Sequence, residues 1–151
     1  VERARKAAKA PIPSEFSAQV GVVSWADRQT VIVNGKRVCL GRLLFAVPNG
    51  AMLGGGQFLR ALQVGRLKQA GMRVGVSDLV LLLPRGAYHG LVLEMKRGPK
   101  SPISDDQQRF LQDAAGAGYL AEVARGVDEG IAALQRYLGL GEFDGPGGRA
   151  D

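Results

Sequence analysis

Residues 74–96 read VGVSDLVLLLPRGAYHGLVLEMK, and this stretch decides the fold. Two apolar runs, 79–83 and 91–93, flank a Pro84-Arg85-Gly86 turn. That is the pattern of a β-hairpin with a longer loop. Asp78 opens the first run, and Glu94 and Lys96 close the second. Alternation along a strand puts Val92, Glu94 and Lys96 on one face, and Leu91, Leu93 and Met95 on the other. Antiparallel pairing sets the start of the first strand beside the end of the second. Asp78 then meets Glu94 and Lys96 at one edge of the sheet.

Two carboxylates and an ammonium gathered on an apolar hairpin repel, in part, and pay for lost hydration. A divalent cation between the carboxylates removes the conflict, and an all-oxygen ligand set favours a hard ion such as Mg²⁺ or Mn²⁺. Such an ion acidifies water and offsets charge that builds on a phosphate during hydrolysis. Lys96 stands one pleat from Glu94, where it would orient that water or help to deprotonate it. The plainer alternative is a solvated strand end whose Glu and Lys form a weak surface pair. The aspartate ahead of an apolar hairpin favours the metal reading.

Three short motifs in order, G-V-S-D at 75–78, E-M-K at 94–96 and S-D-D-Q at 104–107, resemble the VRR-NUC (virus-type replication-repair nuclease) family of the PD-(D/E)xK nucleases. Further matches are E-F-S-A-Q at 15–19, P-N-G at 48–50, R-L-K-Q-A-G at 66–71, and Gly118 with Tyr119. The resemblance runs over residues 14–138 and is closest to small standalone phage and bacterial members. It implies an α/β fold with a restriction-endonuclease-like core, a mixed β-sheet flanked by helices. It also implies a Mg²⁺- or Mn²⁺-dependent endodeoxyribonuclease. Asp78 and Glu94 would hold the metal, with the backbone carbonyl of Met95 and with Glu15 from the first helix. Lys96 would activate water, Glu15 and Gln107 would support catalysis, and Asn49 would lie near the scissile phosphate.

Standalone members resemble junction-resolving enzymes that act as homodimers on branched DNA. The expected function is therefore structure-selective cleavage of branched DNA or four-way junctions in phage or bacterial replication, recombination or repair. The expected location is the cytoplasm of a bacterial host, whether the gene is the host's or a phage's. The alternatives are a DNA-binding scaffold that keeps the nuclease fold without turnover, and a nuclease with sequence preference.

Composition agrees. The chain has 151 residues, enough for one domain with one core, and a formal net charge of +6 that favours polyanionic partners. Arg66, Lys68 and Arg73 around one helical pattern, and Arg97 and Lys100 in the loop after the hairpin, are candidate phosphate contacts. Cys39 is the one cysteine, so no internal disulfide forms and a reducing compartment fits. No apolar run approaches the ~20 residues of a membrane span, and no apolar segment of the secretory kind follows the charged start.

Residues 1–13 read as a flexible basic arm, 14–138 as the nuclease domain, and 139–151 as a disordered glycine-rich tail. Ser14 is placed to cap a first helix whose apolar positions are Phe16, Val20, Val23 and Trp25. Asn34-Gly35 within residues 30–40 is a type I′ hairpin signal, which makes this segment a hairpin insertion. A short buried strand follows at 43–47, then a glycine-rich stretch at 54–56 and a helix at 57–70. After the central hairpin come a helix capped by Ser104, a strand at 119–124 and an amphipathic helix at 127–138. His89 alone makes no zinc cluster, and no Ser-His-Asp or Cys-His arrangement is evident.

Overall fold

The computed structural model describes residues 12–48 and 56–145. Ser14 starts helix α1 (Glu15–Ala26), its hydroxyl accepting the Ser17 N–H at 3.0 Å. Strands β1 (Thr30–Val33) and β2 (Lys36–Cys39) form a separate two-stranded sheet. Asn34 and Gly35 turn between them with φ of 50° and 72°, the positive pair a type I′ turn needs. A 3-10 turn (Leu40–Arg42) leads into β3 (Leu44–Ala46), and α2 (Gln57–Gln69) follows.

The hairpin of residues 74–96 forms as its pattern demands. Strands β4 (Leu79–Leu81) and β5 (Leu91–Lys96) pair antiparallel with Leu79 opposite Leu93. Helix α3 (Asp105–Gly116) then carries the chain to β6 (Leu120–Arg125), which runs parallel to β5. Parallel neighbours need such a crossover. Helix α4 (Val127–Leu138) closes the core. The main sheet has the order β3-β4-β5-β6, a mixed sheet with helices on both faces.

Period-two alternation assigns the two faces. Leu91, Leu93 and Met95 join Val22, Leu134 and Tyr137 in the core between the sheet and the α1/α4 pair. Val92 and Val80 face Phe110 and Ala114 of α3 across a groove on the other side. Burial of Tyr137 pushes its hydroxyl up to about 12, so it stays protonated, and it donates to the Leu83 carbonyl at 2.7 Å. That bond ties α4 to the end of the first hairpin run.

Two expectations need correction. The buried stripe of α1 is Ala18, Val22 and Ala26, while Phe16 and Val20 are exposed. Close approach is the reason. A Cβ on Gly130 of α4 would come within 2.5 Å of Val22 Cγ2, and one on Gly21 within 2.6 Å of Val127 Cγ2. The helices meet on small residues, and larger ones are turned outward. Strand β3 is less buried than its composition suggests, with only Leu44 inside, because it is the sheet edge. The segment after α4 also meets the hairpin turn. The Gly86 N–H donates to Gly141 O at 3.4 Å, and the Asp144 N–H donates to Gly86 O at 3.1 Å. Phe143 and His89 rings lie 5.5 Å apart, and residues 146–151 lie outside the described residues.

Gly75 sets how closely the segment before β4 meets the start of α3. Its φ is +79°, and a Cβ there would lie 2.5 Å from the backbone of Asp106 in α3. Gly75→Ala is therefore expected to cost about 1–3 kcal/mol in urea unfolding, from backbone strain and overpacking together. An unchanged unfolding midpoint would show that the segment before β4 does not press on α3.

Candidate active site

The β4/β5 register decides where the charges meet. With Leu79 opposite Leu93, Asp78 at the mouth of β4 reaches the far end of β5. Its Oδ2 accepts the Met95 N–H at 2.8 Å, which fixes the carboxylate against the strand. The Met95 side chain is buried in the core, so this residue meets the site through its backbone alone. Glu94 is 0% exposed and Lys96 6%, although both are charged types. Lys96 Nζ lies 3.1 Å from Glu94 Oε1.

Helix α3 supplies the next partner. Ser104 Oγ accepts the Gln107 N–H at 3.2 Å, and Gln107 Oε1 accepts the Ser104 N–H at 3.0 Å, a reciprocal capping box. The same Gln107 Oε1 accepts from Lys96 Nζ at 3.0 Å, and its Nε2 donates to Glu94 Oε1. One amide thus starts the helix and bridges the Glu94–Lys96 pair. Glu15 arrives from the first turn of α1, where the helix dipole favours a carboxylate. Oxygen atoms of Glu15, Asp78 and Glu94 lie within 4.8 Å of one another.

Bringing three acids together has an electrostatic consequence. Burial, then the Asp78 charge, raise Glu94 from 4.5 to about 7; Lys96 opposes the shift and Glu15 adds to it. Glu94 Oε2 is buried with no hydrogen-bond partner. A buried, unpartnered carboxylate oxygen on a member of an acidic cluster suits a cation, and the all-oxygen donor set suits a hard divalent one. The spacing also fits, since two ligands on opposite sides of such an ion sit roughly 4 Å apart at the 2.0–2.1 Å ligand distance of Mg²⁺. The residues present therefore fit a divalent metal, with Glu15, Asp78 and Glu94 able to hold it.

The structure brings together Glu15, Asp78, Glu94, Met95, Lys96 and Gln107 from elements far apart in sequence. Arg73 lines a cleft of about 230 Å³ with Gly75, Ser104 and Gln107, its guanidinium folded onto the Lys68 and Met72 carbonyls. Arg66 and Lys68 are exposed in the last turn of α2 and take no part in the cluster. Lys100 is exposed, and Arg97 donates to the Ile12 carbonyl at 3.1 Å. Asn49 lies outside the described residues.

Sequence reasoning missed Arg125. It stands beside Lys96 in the β5/β6 register, and its Nη1 donates to Gly98 O at 2.8 Å and Ser101 O at 2.9 Å. These bonds hold the loop that leaves the site. A basic residue closing the last strand was the available signal, but only the register gives it a partner.

The family model for the VRR-NUC domain matches residues 17–128. The chain belongs to the VRR-NUC family. A solved structure titled "VRR_NUC domain protein" is similar at 30% sequence identity and a TM-score of 0.70, over 87% of this chain and 93% of that one. No curated protein matches the chain. This VRR-NUC domain is accordingly a nuclease of the PD-(D/E)xK type with DNA as its substrate. The matched span begins at residue 17, after Glu15, so Glu15 enters the cluster on geometry alone.

The raised Glu94 value predicts how stability depends on pH. The native state holds the Glu94 proton more tightly than the unfolded chain, from 4.5 up to about 7. Its contribution is full below pH 4.5 and is lost as pH rises through about 7, on the order of 3 kcal/mol in all. Urea titrations in EDTA should show this decline in the native chain and a flatter profile in Glu94→Gln. Parallel profiles for the two proteins would remove the burial of a proton-binding Glu94.

Proposed function

We propose that this domain is a Mg²⁺- or Mn²⁺-dependent DNA endonuclease that hydrolyses phosphodiester bonds, selective for branched DNA and in particular for four-way junctions. The observation that carries the reading is the convergence of the Glu15, Asp78 and Glu94 oxygens within 4.8 Å, with Lys96 against Glu94. A bound ion would acidify water and offset negative charge gathering on the phosphate.

The chain's own residues do the rest. Asp78 is aimed by the Met95 amide, and Glu94 by the Gln107 amide. Lys96 is steadied between Glu94 Oε1 and Gln107 Oε1, so its ammonium is placed to orient an attacking water and to balance the phosphate charge. The Met95 carbonyl is the backbone group available to the same ion. Arg73, in the cleft beside Gln107, and the exposed Arg66, Lys68, Arg97 and Lys100 are assigned to the phosphate backbone, as is Asn49.

A homodimer belongs to this reading. A four-way junction has approximate two-fold symmetry, and two copies about a two-fold axis place one site on each of two strands. Helix α2 supports it: none of its residues is buried, and Phe58, Leu59 and Leu62 face solvent. Contiguous exposed apolar surface of that kind marks an interaction face, which a second copy would cover. The setting is phage or bacterial replication, recombination or repair, in the cytoplasm.

Nicking of supercoiled plasmid should need Mg²⁺ or Mn²⁺ and stop with EDTA. Asp78→Ala and Lys96→Ala should each lower cleavage by about a thousandfold or more, the scale of losing a charge-stabilising group together with water activation. Both variants should still bind DNA in a gel-shift assay. Undiminished cutting by either purified variant would overturn the assignments. Among linear duplex, flap, splayed-arm and four-way-junction substrates, the junction should be cut fastest, and light scattering should report a dimer. Equal rates on all four would remove the structure selectivity.

A further inference from the structure

The cleft of about 230 Å³ opens directly beside the acidic cluster. Met72, Val74 and Val76, from the segment between α2 and β4, line it together with Ser104 and Gln107 at the start of α3. Gln107 belongs to both places: it lines the cleft, and its amide bonds to Glu94 and Lys96. Cleft and cluster therefore share a wall. Val74 is 64% exposed, an apolar side chain left open to solvent next to charged groups.

The polar groups along this cleft are largely committed to one another. Ser104 Oγ accepts the Gln107 N–H, Gln107 Oε1 accepts from the Ser104 N–H and Lys96, and Gln107 Nε2 donates to Glu94. Arg73 Nη1 donates to the Lys68 and Met72 carbonyls, each at 3.2 Å. Its Nη2 and Nε have no partner among the described residues. Asp105 and Asp106, in the first turn of α3, put negative charge at that helix start. A phosphate lodged in the cleft would lose hydration against apolar side chains and face that charge, so an anion is disfavoured there. A flat neutral group with apolar faces fits better. Its faces would meet Met72, Val74 and Val76, and the exposed Arg73 would be left for the phosphate of the same nucleotide. The cleft is smaller than the roughly 300–1,000 Å³ of pockets for drug-sized ligands, which is the scale of a single ring system.

We propose that this cleft receives one nucleobase of the substrate, a base next to the cut phosphate that a branch point frees from its pair, and that its capture is a source of the selectivity for branched DNA. The inference rests on the reading of the cluster as a DNA-cleaving site, and it adds what the domain recognises at the branch. Extruding a base from an intact duplex has an energetic cost, which is least where the base is already unpaired. Linear duplex is thereby disfavoured without any contact that reads its sequence. Recognition through the faces, which every base has, also carries little sequence preference.

The test follows binding of four-way junctions to the full chain in EDTA, so it does not depend on turnover. The fluorescent base 2-aminopurine, quenched within the base stack, is placed at successive positions across the branch point and, as a control, inside an arm. Binding should raise its signal several-fold at a position beside the branch and leave it flat inside the arm, since none of the described lining residues is aromatic. Mismatching the base at that position removes most of the unpairing cost and should tighten binding at least about fivefold. Val74→Gln, at an exposed site, puts a longer polar side chain into the cleft and should abolish the signal rise and the mismatch advantage together. Val74→Ala leaves the cleft open and should keep both. A flat signal at every position would overturn the base cleft, and so would a mismatch advantage equal in the native chain and Val74→Gln. If signal and advantage appear as expected but no metal supports cleavage, the hydrolytic reading fails and the cleft stands. If junctions are cut while the signal stays flat, the cleft fails and the hydrolytic reading stands.

Discussion

A carboxylate sealed from water beside two other carboxylates is the constraint on which this structure turns. Glu94 is fully buried, and only one of its oxygens is hydrogen-bonded. In water such a group ionises freely, but here burial and the Asp78 charge hold its proton up to about 7. Lys96 and Gln107 share Oε1 and offset part of that cost. The rest is unrelieved in the protein alone. A fold that keeps this arrangement stores electrostatic strain at one point, which a divalent cation would release.

The surrounding architecture follows from supporting that point. Strand β5 is buried along its whole length, flanked by β4 on one side and β6 on the other. Being central, it gives Glu94 and Lys96 a rigid base. The side chains around them come from other elements: Asp78 from the mouth of β4, fixed by the Met95 amide, Gln107 from the cap of α3, and Glu15 from the start of α1. The close packing of α1 on α4 through Gly21 and Gly130 brings α1 down onto the core, and Gly75 does the same for the α3 start. Small residues at these contacts are part of the site's geometry although they touch nothing reactive.

The capping box of α3 has an energetic role as well as a geometric one. A helix N-terminus leaves N–H groups that need acceptors, and a cap is worth about 1 kcal/mol. Gln107 meets that local need and also joins Glu94 to Lys96. Helix start and charge pair are thereby coupled, so a loosening of α3 would be felt at the acidic cluster. Arg125 plays the matching part behind the strand, holding the loop that Lys96 runs into.

Much of this was legible in the chain itself. Asn34-Gly35 specified a tight turn, Ser14 and Ser104 specified helix starts, and the two apolar runs around Pro84-Arg85-Gly86 specified an antiparallel hairpin. These are short-range effects, set by backbone sterics and local hydrogen bonds, so neighbouring residues determine them. Antiparallel pairing of that hairpin then set Asp78 near Glu94 at one edge of the sheet. Other features depended on long-range packing. The stripe that α1 buries was decided by how closely α4 approaches, so Ala18 and Val22 went inside and Phe16 did not. The placing of Gly141, Phe143 and Asp144 came from contacts with Gly86 and His89. Arg125 found its role through a parallel register that no local pattern encodes, and Glu15 met the other acids only once α1 was docked. The residues that would do chemistry were written in the sequence, and the distances between them belong to the tertiary structure, because packing of remote surfaces, not chain neighbourhood, sets them.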